Sequence, residues 1–189
     1  DAGFYGKKTG RGFYDYREGA VRPAAQTEAG QAPAGKITVF GESAAAEALV
    51  ERLEHSGLTF SRAPETDAPK EAPLGGGRVA EIGRAAIYVT DGRTATQRAA
   101  ESGVANTVLI DLALDYSKAT RIAIAAAEQC DPAAAASAIG LLQTAGFAVS
   151  RFLDVPGLIV MRTVAMLANE AADAVNQGVC SEAGADQAM

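Results

Sequence analysis

The chain has 189 residues, 48% of them apolar and 21% charged, a globular composition with room for one sizeable core. Its net charge of −6 and pI near 4.9 argue against nucleic acid or an anionic membrane surface as a partner. No apolar run reaches the roughly 20 residues that span a bilayer, and a single histidine, His55, excludes metal sites built on several histidines.

Residues 1–18 carry Phe4, Tyr5, Phe13, Tyr14 and Tyr16 among Lys7, Lys8 and Arg11, with glycines between them. Aromatics beside cations suit nucleotide stacking or phosphate contact. The stretch is too short to bury itself, so we read it as a tail that docks on an apolar surface elsewhere. Residues 19–35 are Ala, Gly, Pro, Gln and Glu without periodicity, the composition of a linker.

From Lys36 the pattern alternates between strand and helix. Ile37–Phe40 is a short β-branched strand; Gly41-Glu42-Ser43 then turns into an Ala-rich helix with Leu49, Val50 and Leu53 at helical spacing and Gly57 as its stop. Residues 58–60 suit a second strand, and residues 63–78, with their prolines and triple glycine, a loop. Further strands are expected at 85–89, 107–111, 120–125 and 148–153, with helices at 93–102 and from Asp131-Pro132 to Gly146. Such alternation predicts an α/β fold with a doubly wound, mostly parallel, Rossmann-like sheet. A long apolar helix follows Pro156 and ends near Gly178, and Ser181 caps another. A helix apolar on most sides over 158–175 needs neighbours, so self-association through it is expected. Cys130 and Cys180 stand outside any CxxC and read as reduced thiols of a cytoplasmic protein.

Two stretches point further. Residues 6–16 read Gly-Lys-Lys-Thr-Gly-Arg-Gly-Phe-Tyr-Asp-Tyr, and residues 156–170 read Pro-Gly-Leu-Ile-Val-Met-Arg-Thr-Val-Ala-Met-Leu-Ala-Asn-Glu. The first resembles the closing motif, and the second the opening signature, of the helical domain of 3-hydroxyacyl-CoA dehydrogenases. A closing motif that precedes an opening one implies a two-copy enzyme of the long bacterial type. Residues 1–18 would then be the tail of a preceding helical domain and 19–35 a linker. Residues 36–155 would be a second, degenerate Rossmann-like domain, and 156–189 the start of the helical C-terminal domain. The absence of an initiator Met and of a signal-peptide pattern fits a segment of such a chain.

The resemblance implies an NAD-dependent oxidoreductase that converts 3-hydroxyacyl-CoA to 3-ketoacyl-CoA in fatty-acid or aromatic-acid degradation, with the missing N-terminal half of the chain as partner. It also supplies positions against which this segment can be tested. The dinucleotide loop would start at Gly41, but its second glycine is Ser43 and its third Ala46, with Glu42 adding negative charge. Gly41 and Ser43 are thus vestigial cofactor-binding positions, and no acidic residue follows Leu58-Thr59-Phe60 to hold a ribose. The family's catalytic His falls on Leu112, its Glu near Ile124, and its active-site Asn on Met161, a thioether that cannot donate an amide hydrogen bond.

No catalytic residue is therefore assigned, and neither NAD nor a metal is expected in this segment. His55, at a helix C-terminus, has a structural reading. Asp111 and Asp115 could meet at a strand end, where carboxylates more often cap or are solvated. Asn169-Glu170 matches the family helix and either lines a site or packs on the sheet. Tyr88, Asp91 and Arg93 flank the crevice without forming a recognisable constellation. The expected role is structural, by mimicking a dimer partner. The alternative is a non-catalytic module that binds acyl-CoA or a nucleotide.

Overall fold

A computed structural model describes residues 3–64 and 77–188. The strands are β1 (Ile37–Phe40), β2 (Phe60–Ala63), β3 (Arg78–Ile82), β4 (Ala85–Val89), β5 (Thr107–Ile110), β6 (Arg121–Ala126) and β7 (Ala148–Arg151). The helices are α1 (Ala44–Ser56), α2 (Ala95–Ser102), α3 (Pro132–Thr144), α4 (Val160–Asn176) and α5 (Glu182–Ala188), besides a short 3-10 helix at Lys7–Thr9. All seven strands form one sheet in the order β2-β1-β3-β4-β5-β6-β7. Strands β1, β2, β4 and β5 run one way and β3, β6 and β7 the other.

The α/β class, the winding and the Rossmann-like character agree with the sequence reading. The three opposed strands are an added feature, and β3 is an element that the reading lacked. It forms a hairpin with β4 through Gly83, whose φ of 56° lets a two-residue turn close. Most of the expected loop at 63–78 lies outside the described residues.

Two cores flank the sheet. Helices α1 and α3 cover one face, packing Leu49, Leu53, Leu141 and Leu142 onto Val39, Ile87, Ile124 and Val149. On the other face α2 lays Ala95 and Ala99 against Tyr88, Leu109 and Ala125, and Leu158 joins them. Local chemistry sets the helix ends. Ser43, Thr94 and Asp131 each accept a backbone N–H in the first turn of α1, α2 and α3, and Gly57 and Gly103 stop α1 and α2 in the left-handed region.

The 19–35 stretch is irregular but not loose. Glu28 N–H donates to the Val149 carbonyl at 2.8 Å along the outer side of β7. Gln143 on α3 donates to the carbonyls of Glu28 and Ala29 and accepts from Gln31 N–H. The backbone of Ala32 and Pro33 passes so close to Gly140 that a Cβ there would lie 2.6 Å from it. At the start of the chain, Thr9 accepts from Tyr5 N–H and fixes a tight turn that leaves Phe13 95% exposed.

Candidate functional site

The strand ends β1, β4 and β5 share one edge, the place where this fold class presents ligands. At the first of them Gly41 has φ 68° and donates its N–H to the Ala63 carbonyl at 3.0 Å. The Ser43 hydroxyl accepts from Ala46 N–H at 3.3 Å, so it serves its own helix. Arg62 at the end of β2 pairs with Glu47. Glu47, Glu51 and Glu54 then line a cleft of about 600 Å³ with Asp115 and Arg62. A pyrophosphate would meet a surplus of carboxylates there, and the cation present is already engaged. These residues do not fit a dinucleotide.

Residues 111–119 form the second part of the edge. Asp111 is only 1% exposed. One carboxylate oxygen accepts from Leu112 N–H at 2.8 Å; the other accepts from Ile159 N–H at 2.9 Å and Val160 N–H at 2.8 Å. It thereby caps α4 from another element. Asp115 lies apart from it, half-buried, bonded to Ser117 and paired with Lys118 at 2.8 Å. Lys118 and Ser117 hold its carboxyl well below the usual range. Asp111 and Asp115 therefore do not form a pair, and capping explains the first.

The loop itself is fastened from α1. Arg52 donates to the carbonyls of Tyr116, Ser117, Ala119 and Ala145, and its guanidinium stacks 4.1 Å from the Phe147 ring centroid. The Tyr116 hydroxyl donates to the Asp111 carbonyl at 3.0 Å, and burial pushes that phenol up to about 12.

Leu112 packs half-buried against the core, and Ile124 is fully buried in it. His55 is bonded to the Glu51 carbonyl at the exposed end of α1. No acid or base stands at either aligned position. Leu112 also lines a larger cavity, of about 870 Å³, walled by Ile122, Phe152, Leu153, Ile159 and Val160 with Arg121 at its side.

The third part is the passage into α4. Asp154 accepts from Ala95 N–H at 2.6 Å and Thr96 N–H at 2.8 Å, a second cap across elements. Leu158 has φ 48°, yet its side chain is 0% exposed. Met161 rests over Gly92 and Gly157, its sulfur 3.8 Å from where a Cβ on Gly92 would stand. Asn169 shares that shallow groove with Met161 and Arg162, whereas Glu170 is exposed outside it.

The comparisons with known proteins converge on this arrangement. The family model described as the 3-hydroxybutyryl-CoA dehydrogenase reduced Rossmann-fold domain matches residues 87–156. The 3-hydroxyadipyl-CoA dehydrogenase of Escherichia coli (strain K12) is 38% identical over 111 residues, 59% of this chain. A crystal structure of 3-hydroxybutyryl-CoA dehydrogenase from Escherichia coli K12 substr. MG1655 superposes with a TM-score of 0.60 at 30% identity over 97% of this chain. This chain is thus similar, over residues 87–156, to the reduced Rossmann-fold domain of 3-hydroxybutyryl-CoA dehydrogenase. It spans 22% of the length of the first relative and 31% of the second.

The polar groups that do converge include Tyr88, Asp91 and Arg93, which the sequence placed beside the crevice without a recognisable constellation. Asp91, its side chain 4% exposed, pairs with Arg93 at 2.5 Å and Arg98 at 2.8 Å, and Arg93 reaches on to Glu101. Arg98 lies 4.0 Å over the Tyr88 ring, and Arg78 donates to the Tyr88 hydroxyl and pairs with Glu81. The spacing Asp91–Arg93–Arg98 held a clue, since a turn into a helix brings residues two and seven apart to one end.

Burial raises the Asp91 carboxyl, but hydrogen bonds from Arg93 and the charge of Arg98 outweigh it and leave it below its ordinary value of 3.8. A depressed folded value means stability that is full above the unfolded value and lost as pH falls from there through the folded value. Asp91→Asn should therefore cost roughly 2 kcal/mol at pH 7. That gap should shrink steadily below pH about 4. Thermal unfolding of both proteins at pH 7, 4 and 3 checks this; a gap independent of pH would refute it.

Proposed function

We propose that this chain is a non-catalytic, structural segment of an NAD-dependent 3-hydroxyacyl-CoA dehydrogenase. In this reading, oxidation of 3-hydroxyacyl-CoA to 3-ketoacyl-CoA belongs to the other half of the longer protein. The observation that carries it is the pair Leu112 and Ile124, where the family needs a base and its carboxylate. One packs on the core and the other is sealed inside it, so neither can move a proton. Ser43 and the acidic cleft beside α1 support the same reading for the cofactor.

The segment's contribution is then to present α4 as a packing surface. Val160, Val164, Met166 and Leu167 are all exposed along it. Its partners are the missing half of its own chain or a second copy, in a cytoplasmic enzyme of acyl-CoA degradation. No helix among the described residues is long and apolar enough to cross a membrane.

The 870 Å³ cavity favours a second reading, a module that holds an acyl-CoA or nucleotide without acting on it. One calorimetric experiment separates the two. Titration with NADH and with an acyl-CoA should show binding of neither. Micromolar NADH binding would overturn the structural reading, and acyl-CoA binding alone would replace it with the second.

A further inference from the structure

Helix α4 has no buried residue along its 17 residues. The bonds and contacts that tie it to the sheet lie in the short run that leads into it and in its first turn. Asp154 is bound to the first amides of α2 at 2.6 and 2.8 Å. Leu158 follows in the left-handed region at φ 48°, a backbone that side-chain-bearing residues avoid, and plugs the second core beside Tyr88, Leu109 and Ala125. The next two amides, Ile159 and Val160, end on one oxygen of Asp111. The other oxygen is held by Leu112 N–H, so the cap cannot swivel. Met161 then props the first turn against Gly92.

We infer that residues 154–161 are a locked hinge, which fixes the single direction in which α4 leaves the sheet. The buried Leu158 side chain holds the backbone in a conformation that it would otherwise leave, and the Asp111 carboxylate aims the helix. Neither contact would suffice alone. Without the cap the helix could pivot about Leu158, and without the plug the residue could return to an ordinary φ and swing the helix away. The hinge also forms a wall of the large cavity, through Asp111, Ile159 and Val160. The inference does not depend on whether that cavity or the α1 cleft binds a ligand.

The test is a distance distribution between two nitroxides in the whole protein. One label sits on Cys180, beyond the far end of α4; the other on Glu128→Cys, an exposed position on the sheet body, with Cys130→Ser to keep the labelling clean. With the hinge intact the distribution should be narrow and single. Asp111→Ala and Leu158→Ala should each widen it at least twofold, and Asp115→Ala, outside the hinge, should leave it unchanged. Circular dichroism melting shows that the sheet is folded in each variant. Should Asp111→Ala not fold, Asp111→Asn keeps the shape with one good acceptor and should widen the distribution less. A distribution that is already broad with the hinge intact, or one that keeps its width in both hinge variants, would overturn the inference.

Discussion

Asp111→Ala should lower the unfolding free energy by about 3 kcal/mol, which for a chain of this size is a fall in Tm of roughly 8 °C. The carboxylate accepts three backbone N–H bonds and is almost wholly buried. Hydrogen bonds to a charged group are worth about 1.5–3 kcal/mol each, but they do not add here. Ile159 and Val160 are partly exposed, so water can recover their amides once the carboxylate is gone. The loss then falls mainly on Leu112 N–H and on the unsupported start of α4. Asp111→Asn should recover about half of the effect, since its amide keeps one acceptor and turns an NH2 towards a donor. Thermal unfolding followed by circular dichroism measures both; a shift under about 1 °C for the Ala variant would show that the cap is incidental.

Arg52→Leu should have the next largest effect, about 2–3 kcal/mol. The substitution keeps an apolar stem beside Phe147 but removes every donor to the Tyr116, Ser117, Ala119 and Ala145 carbonyls. The Arg52 Nε is buried without a partner among the described residues, a cost that the other bonds offset. The damage should be local. Amide hydrogen exchange in residues 112–120 should quicken about tenfold or more, while the strands of the sheet keep their protection to within the global loss. Uniform acceleration across the chain would instead show that the loop has no stability of its own to lose.

What could be read from sequence follows from how far apart the determinants lie. Helix α1 was legible end to end because Ser43, Leu49, Leu53 and Gly57 act within one helix, and α3 because Asp131-Pro132 is a start signal in itself. Strand β3 was missed because Val79, Ala80 and Ile82 are too few for periodicity, and because Gly83 marks a turn only once β4 is beside it. The direction of β6 and β7 depends on the sheet as a whole, which no local pattern encodes. Leu112, Ile124 and Met161 could be judged in advance through the family resemblance, as residues of the wrong chemistry.

The groups that actually organise the edge could not be judged in that way. Asp111 caps a helix that starts 49 residues later, and Asp154 one that starts 59 residues earlier. Arg52 fastens a loop across a separation of 64–67 residues. Each is an ordinary charged residue until tertiary structure gives it a partner.

The path of residues 26–33 has a consequence for association. Strand β7 is the last in the sheet, and an uncovered last strand is a template on which other chains can add. Glu28 meets the Val149 carbonyl on that outer side, Ser150 is tied to the Gln26 carbonyl at 2.6 Å, and Ala32 and Pro33 fill the notch over Gly140. This unpatterned, Ala- and Pro-rich stretch is thus a guard against edge-to-edge aggregation. A chain shortened to begin after it would keep its core and lose its protection.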